Sequence, residues 1–219
     1  MLRLLFEKTG DGVYLSHLDL MRVFQRAFQR AGVMLKHSQG FSPRPYVSVA
    51  LPLSVGVESV CELLDYELEQ GSTSPEDLAE RLNRTMPVGV RVLEAYDGER
   101  KIKELCYLRA TLTLEYDRGV PAGAAAAMTA LFDRETLTVE KHSKKGMVET
   151  DIRPMVRHVS VEQPGEQELR ITATVCAQNP ALNPMLLYAA VERYLPEYAA
   201  DFCRCRREAV LDAAEKPFR

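Results

Sequence analysis

Hydrophobic and polar positions change their period several times along this chain, and each change marks an element. "YVSVAL" (46–51) alternates every second residue, as a half-buried strand does. "MLRLLFEK" (1–8), "CELLDYELE" (61–69) and "VRVLEAY" (90–96) also read as strands. Between the first strand and the alternating run lies "SHLDLMRVFQRAFQRAG" (16–32). Its Leu20, Phe24, Ala27, Phe28 and Ala31 fall on one helical face, and Arg22, Gln25, Arg26, Gln29 and Arg30 on the other. Ser16 and Asp19 form an S-x-x-D capping box, and Gly32 is a natural C′ residue. "SPEDLAERLNRTMP" (74–87) predicts a second helix, with Ser74 as N-cap, Pro75 at N1 and Asp77 completing the box.

The order β-α-β-β-α-β over residues 1–98 is that of a ferredoxin-like split βαβ unit. After the short polar link "DGERKIKE", residues 104–219 repeat it. "CYLRATLTLEY" is a strand and the Ala-rich "AGAAAAMTALFDRE" a helix, and "TLTVEKH", "VRHVSVE" and "ELRITATVC" are strands. "NPMLLYAAVERYLPE" is a helix capped by Asn183 with Pro184 at N1, and "FCRCRREAVL" a last strand. The predicted fold is α+β: two tandem ferredoxin-like (βαββαβ) units, the second with an extra β-hairpin over 141–158.

A length of 219 residues fits one large or two small domains, and 46% hydrophobic against 27% charged residues is ordinary for a globular chain. The net charge of −3 excludes a generally basic nucleic-acid binder but allows a local basic patch. No apolar run reaches the roughly 20 residues of a membrane helix. "MLRLLFEKTGDG" lacks a signal-peptide core, so a cytoplasmic location is expected and no membrane partner. Five cysteines without a second close pair point to reduced thiols. Cys203 and Cys205 alone make no zinc site, and no cluster, nucleotide or nucleophile motif is present, so no metal and no cofactor are expected.

Candidate chemistry concentrates in "HSQGFSPRP" (37–45). Pro43 and Pro45 fix their own φ and extend Ser42 and Arg44, while Gly40 allows a sharp bend. The loop should hold Gln39, Phe41 and Arg44 in fixed positions. A guanidinium on a stiff backbone suits phosphate or carboxylate. The plainer reading is that Arg44 pins its own loop to Asp19 or Glu62. His17 at the helix start and His37 before the loop are candidates for general acid/base work; the plainer reading makes both structural. "KHSKKGMVETDIRPMVRH" carries Lys141, Lys144, Lys145, Arg153 and Arg157 against Glu149 and Asp151. It is either a ribbon for a phosphate backbone or a solvated hairpin. In "CRCRR", alternation puts Arg204 and Arg206 on one face and the cysteines on the other.

The run "YLSHLDLMR…SQGFSPRP…LPLSVGVES…ELLDYEL", with "KKGMVETDIRPMV" later, resembles the radical SAM-linked protein family, DUF2344. After Cys176 the likeness weakens, because "NPALNP" replaces the family's glycine-containing Arg-Pro entry to the last helix. The resemblance implies a partner: a radical SAM enzyme encoded nearby, which would perform any radical chemistry. This chain has no three-cysteine cluster motif. Three functions follow as expectations. The first is a non-catalytic accessory subunit presenting structured RNA, tRNA or rRNA, through Arg22, Gln39, Phe41, Arg44, Lys144, Lys145, Arg153 and Arg157. The second is a docking module for the enzyme without RNA. The third, by analogy of fold with CRISPR-type RNA-processing endonucleases, is a ribonuclease using His17 and His37. In each, Ser16, Asp19, Gly40, Pro43 and Pro45 build the frame, with Ser16–Arg22 packed near Gln39–Pro45 and Asp19 within reach of Arg44.

Overall fold

The computed structural model describes every residue except Thr73, Lys144 and Lys145, and excludes the side chains of His142 and Ser143. The fold is mixed α+β and divides into two compact units, Met1–Glu104 with Arg219, and Leu105–Phe218.

The first unit runs β1 (Leu2–Lys8), α1 (His17–Arg30), β2 (Val47–Val49), β3 (Val57–Tyr66), α2 (Leu78–Asn83) and β4 (Val90–Asp97). Its strands lie in the order β4-β1-β3-β2, all neighbours antiparallel. Leu4 stands opposite both Leu64 and Ala95, so the pleat sends one apolar row toward the helices. Phe6 meets Phe24 of α1 edge-on at 4.8 Å between ring centroids, and Phe28 meets Tyr66 at 4.9 Å. Leu78 and Leu82 of α2 join the same core. Removing a ring such as Phe24 from this layer costs about 3–5 kcal/mol. On the other face, Arg3 is fully buried and its guanidinium donates to both oxygens of Asp65, at 2.6 and 3.1 Å.

Both ends of α1 follow from its local sequence. The Ser16 Oγ accepts the Asp19 N–H and donates to the Asp19 carboxylate at 2.7 Å. Val33 N–H returns to Phe28 O and Gly32 N–H to Gln29 O, with Gly32 at φ +71°, a Schellman end. The entry to α1 is fixed by a backbone crossing: Thr9 N–H donates to Gly89 O, and Gly12 sits against Gly89 with no room for a Cβ on either.

The second helix corrects the sequence-based expectation. α2 begins at Leu78, because Ser74 Oγ shares a hydrogen bond with the Tyr66 hydroxyl and Asp77 pairs with Arg81. Neither side chain caps the helix, and Leu78 N–H returns to Pro75 O as a turn. β2 is also shorter than the alternating run that predicted it, while β3 begins earlier, at Val57.

The second unit runs β5 (Tyr107–Glu115), α3 (Ala124–Phe132), β6 (Thr138–Ser143), β7 (Gly146–Asp151), β8 (Val156–Gly165), β9 (Glu168–Cys176), α4 (Met185–Tyr194) and β10 (Phe202–Leu211). Its sheet order is β10-β5-β9-β8, antiparallel throughout, and β6–β7 form a separate hairpin. The N-cap of α4 is Pro184, one residue later than the expected Asn183, whose Oδ1 accepts the Met185 N–H at 3.1 Å from just outside the helix. Leu112, Leu169, Ile171, Leu187 and Val191 are fully buried between sheet and helices.

The hairpin ends before residues 153–158. The Asp151 carboxylate accepts the Leu137 and Arg153 N–H groups, closing the hairpin base, and Ile152 is buried behind it. Arg153 therefore opens a short 3-10 turn, Arg153–Met155, and Arg157 lies on β8, so neither continues a basic ribbon. Lys144 and Lys145 lie outside the described residues.

Candidate nucleic-acid interface

A cleft of about 510 Å³ opens beside the C-terminal half of α1. Gln25, Arg26 and Gln29 supply one wall from the helix's polar face. The other wall is the segment after Gly32, with Val33, Met34 and Leu35, joined by Pro45 and Glu69. This second wall is held by its backbone. Glu69 N–H donates to Met34 O, Lys36 N–H to Glu67 O and Tyr46 N–H to Lys36 O, all within 3.0 Å. Lys36 is tied down by Glu67 at 2.6 Å and lies over the Tyr46 ring.

His37 lines the same cleft and pairs with Pro45 as an isolated bridge. Its Nδ1–H donates to Leu35 O at 2.8 Å, because a carbonyl can only accept. The loop springs from this bridge. Ser38 N–H donates to Arg44 O, and Arg44 N–H returns to Ser38 Oγ at 3.0 Å, which closes the loop base. Beyond it everything faces solvent. Phe41 has a relative exposure of 113%, with Gly40 at φ +126° beside it. Gln39 and Arg44 are exposed, and the Arg44 guanidinium makes no ion pair among the described residues.

Asp19 bonds Ser16 and pairs with Arg22 at 3.0 Å, which overturns the expected Asp19–Arg44 pair. The Ser16 hydroxyl, then Arg22, hold the Asp19 carboxyl below the usual carboxylate range. Glu62 is buried, so it is no partner for an exposed Arg44 either. The loop is fixed by its own backbone instead, which leaves Arg44 free.

His17 and His37 are not brought together. His17 is the first residue of α1, whereas His37 faces a cleft that starts two turns later and reaches past the helix end. His17 to Gln29 is about 18 Å of helix at 1.5 Å per residue. A ribonuclease built on this pair lacks its shared cleft. His17 Nδ1 is buried and has no hydrogen-bond partner among the described residues.

In the second unit, the Arg153 guanidinium donates to Val156 O at 3.0 Å. Arg157 Nε and His158 Nε2 both meet the Glu215 carboxylate, and Arg157 also lies over Tyr107. Their charges are used inside the unit. Arg204 and Arg206 point out and pair with Glu115 and Glu208, while burial pushes the Cys203 thiol up to about 12 and Cys205 to about 11.

Sequence reasoning placed Gln25, Arg26 and Gln29 on a polar face without making them a site. Their spacing was the available signal. Glu69 and Met34 had none, because only the bridge between Leu35 and Leu68 brings residues 34 and 69 together.

Among solved structures, a chain of the Cbf5-Nop10-Gar1 complex is similar at TM-score 0.55 and 9% identity, covering 95% of this chain and 48% of that one. The present chain thus spans about half its length, and the likeness concerns the α+β fold alone. An unknown protein from Galdieria sulphuraria, at TM-score 0.26 and 11% identity over 94% of this chain and 96% of that one, is too distant to bear on the fold. No curated protein matches. Among the described residues no helix is long and apolar enough to cross a membrane. Residues 1–184, from the first strand through the loop, the hairpin and the entry to α4, match the model described as an uncharacterized protein conserved in bacteria, and the chain belongs to that family, DUF2344.

Proposed function

We propose that this chain is a non-catalytic RNA-recognition protein, and that its RNA surface is the arginine face of α1 together with the 38–44 loop. The observation that carries the reading is Phe41. A fully exposed ring, on a loop closed by its own hydrogen bonds, contributes nothing to folding. Such a ring is a ready stacking platform for a base. Beside it stands Arg44, and along α1 stand Arg22, Arg26 and Arg30, at intervals of one turn. Arg26 and Arg30 make no ion pair among the described residues. Free guanidinium groups in line suit a phosphate backbone.

We read both units as ferredoxin-like, supported by a common strand order: last, first, third, second, with a helix in each crossover. The radical SAM enzyme enters as the partner that the family resemblance implies. The test is binding of total small RNA at low and high salt by wild type and by an Arg26→Ala/Arg30→Ala/Arg44→Ala variant. Each arginine on a phosphate adds roughly 0.7–0.9 to the slope of log K against log salt, so the triple variant should lose about two to three units of slope. Salt-independent binding, or no binding at low salt, would remove this reading.

A second reading has its own observation. Tyr14, Leu18, Val55 and Val88 are exposed apolar residues. Gly56 N–H on Val13 O and Thr9 N–H on Gly89 O bring their segments to one end of the first unit. That patch suits a protein partner. A salt-tolerant complex with the radical SAM enzyme, lost on Leu18→Glu, would support docking; a complex insensitive to that change would reject the patch.

A further inference from the structure

We infer that the cleft beside α1 receives one unpaired nucleotide, with its base inside and its phosphates on the arginine rim. The inference rests on the RNA reading above and says which part of an RNA enters. A volume of about 510 Å³ admits a single nucleotide and no duplex. The polarity of the lining then orients it. Glu69 lines the cleft, and its carboxylate has no partner among the described residues. A carboxylate repels phosphate and accepts hydrogen bonds from ring and exocyclic N–H groups of a base. Arg26 is an exposed lining residue, Arg30 follows one turn on and Arg44 directly precedes the lining Pro45, so exposed positive charge is available for the phosphates.

Three further side chains fit a base edge. The amides of Gln25 and Gln29 are unbonded among the described residues, and each offers two donors and an acceptor. His37 donates through Nδ1 to Leu35 O, which leaves Nε2 of the neutral ring as an acceptor. Val33, Leu35 and Pro45 give the flat base apolar surface. Glu69 and His37 Nε2 both accept, so the base must bring donors. Adenine and cytosine bring two N–H donors on the exocyclic amine and guanine brings three on its edge, whereas uracil brings only N3–H and leaves one of the two acceptors unmatched. The cleft therefore discriminates against uracil. It is preformed, because its second wall is stitched by backbone hydrogen bonds.

The experiment uses the full chain and fluorescein-labelled RNA of about twelve nucleotides, within the range of known single-strand sites. Oligo-A, oligo-C, oligo-U and a blunt duplex are compared by anisotropy at low salt. Single strands should bind about tenfold tighter than the duplex, and oligo-A or oligo-C about fivefold tighter than oligo-U, the scale of one well-made base contact. Glu69→Gln, and separately Gln25→Ala/Gln29→Ala, should bring the ratio over oligo-U close to one while arginine-dependent binding persists. These positions are exposed or half-buried, and unchanged melting midpoints exclude misfolding as the cause. Equal or tighter binding of the duplex, still lost in the arginine variant, would overturn the cleft and leave the RNA reading standing. A preference over oligo-U that neither variant changes would also overturn it. No binding of any RNA would remove both.

Discussion

Replacing Phe41 with alanine separates folding from function more cleanly than any other single change. The ring is fully exposed, so folding buries none of it and its removal leaves no cavity. The loop base is held by Ser38 and Arg44 backbone groups and the Ser38 hydroxyl, none of which touches the ring's role. Stability should change by less than about 0.5 kcal/mol, the range for surface substitutions, or about 1–2 °C in Tm for a chain of this size. Loss of a stacked base costs about 1–3 kcal/mol, or roughly 5- to 150-fold in Kd. The contrast is Phe24→Ala, whose fully buried ring is worth about 3–5 kcal/mol to the fold. The assays are thermal melting by circular dichroism and anisotropy with the single-stranded RNA that binds best. A Kd within twofold of wild type at unchanged Tm would refute Phe41 as a stacking platform. A fall in Tm beyond about 4 °C would refute the exposed loop itself.

Two other outcomes test the frame. Gly89→Ala places a Cβ 2.3 Å from Gly12 N and 2.4 Å from Thr9 O at φ +85°, so backbone must shift. Strain plus loss of this crossing should cost about 1–3 kcal/mol, measured by urea unfolding, and a neutral result would show that the Gly12–Gly89 contact is absent. The second concerns alkaline pH. The ordinary thiol value of 9.0 is raised to about 12 at Cys203 by burial. Below pH 9 folded and unfolded chains both hold this proton; above it the unfolded chain releases the proton first, so stability falls as pH rises from about 9 to 12. Iodoacetamide at pH 8, followed by peptide mapping, should label the buried Cys205 only on unfolding; rapid labelling of Cys205 in the native protein would contradict its burial.

The helix and its caps were legible in residues 16–32 because period, N-cap and C′ glycine are local chemistry, and all act within one turn. α2 was overread for the opposite reason. Ser74 has a capping sequence but a tertiary partner, the Tyr66 hydroxyl on β3, and that hydrogen bond removes it from the helix. The hairpin was legible in the strand-forming run around Gly146. Its end was not, since Asp151 closes it by reaching Leu137, fourteen residues earlier. Arg44 stood out in the sequence on a stiff loop, either as a contact for phosphate or carboxylate or as a pin for its own loop; that it makes no ion pair among the described residues depended on what Asp19 and Glu62 do elsewhere.

The sequence by itself determined the alternation of strands and helices, the stiffness of the loop at residues 38–44 and the arginine stripe of α1. Each rests on neighbours within a few residues, where φ restrictions and helical period act directly. Only the tertiary structure decided that Glu69 and His37 face Gln25 and Gln29 across one cleft, and that His17 stands apart from it. Those placements come from the antiparallel stitching of residues 34–36 to 67–69, a pairing between segments more than thirty residues apart. No local propensity encodes such a register; the burial of Leu35 and the core behind it selects it.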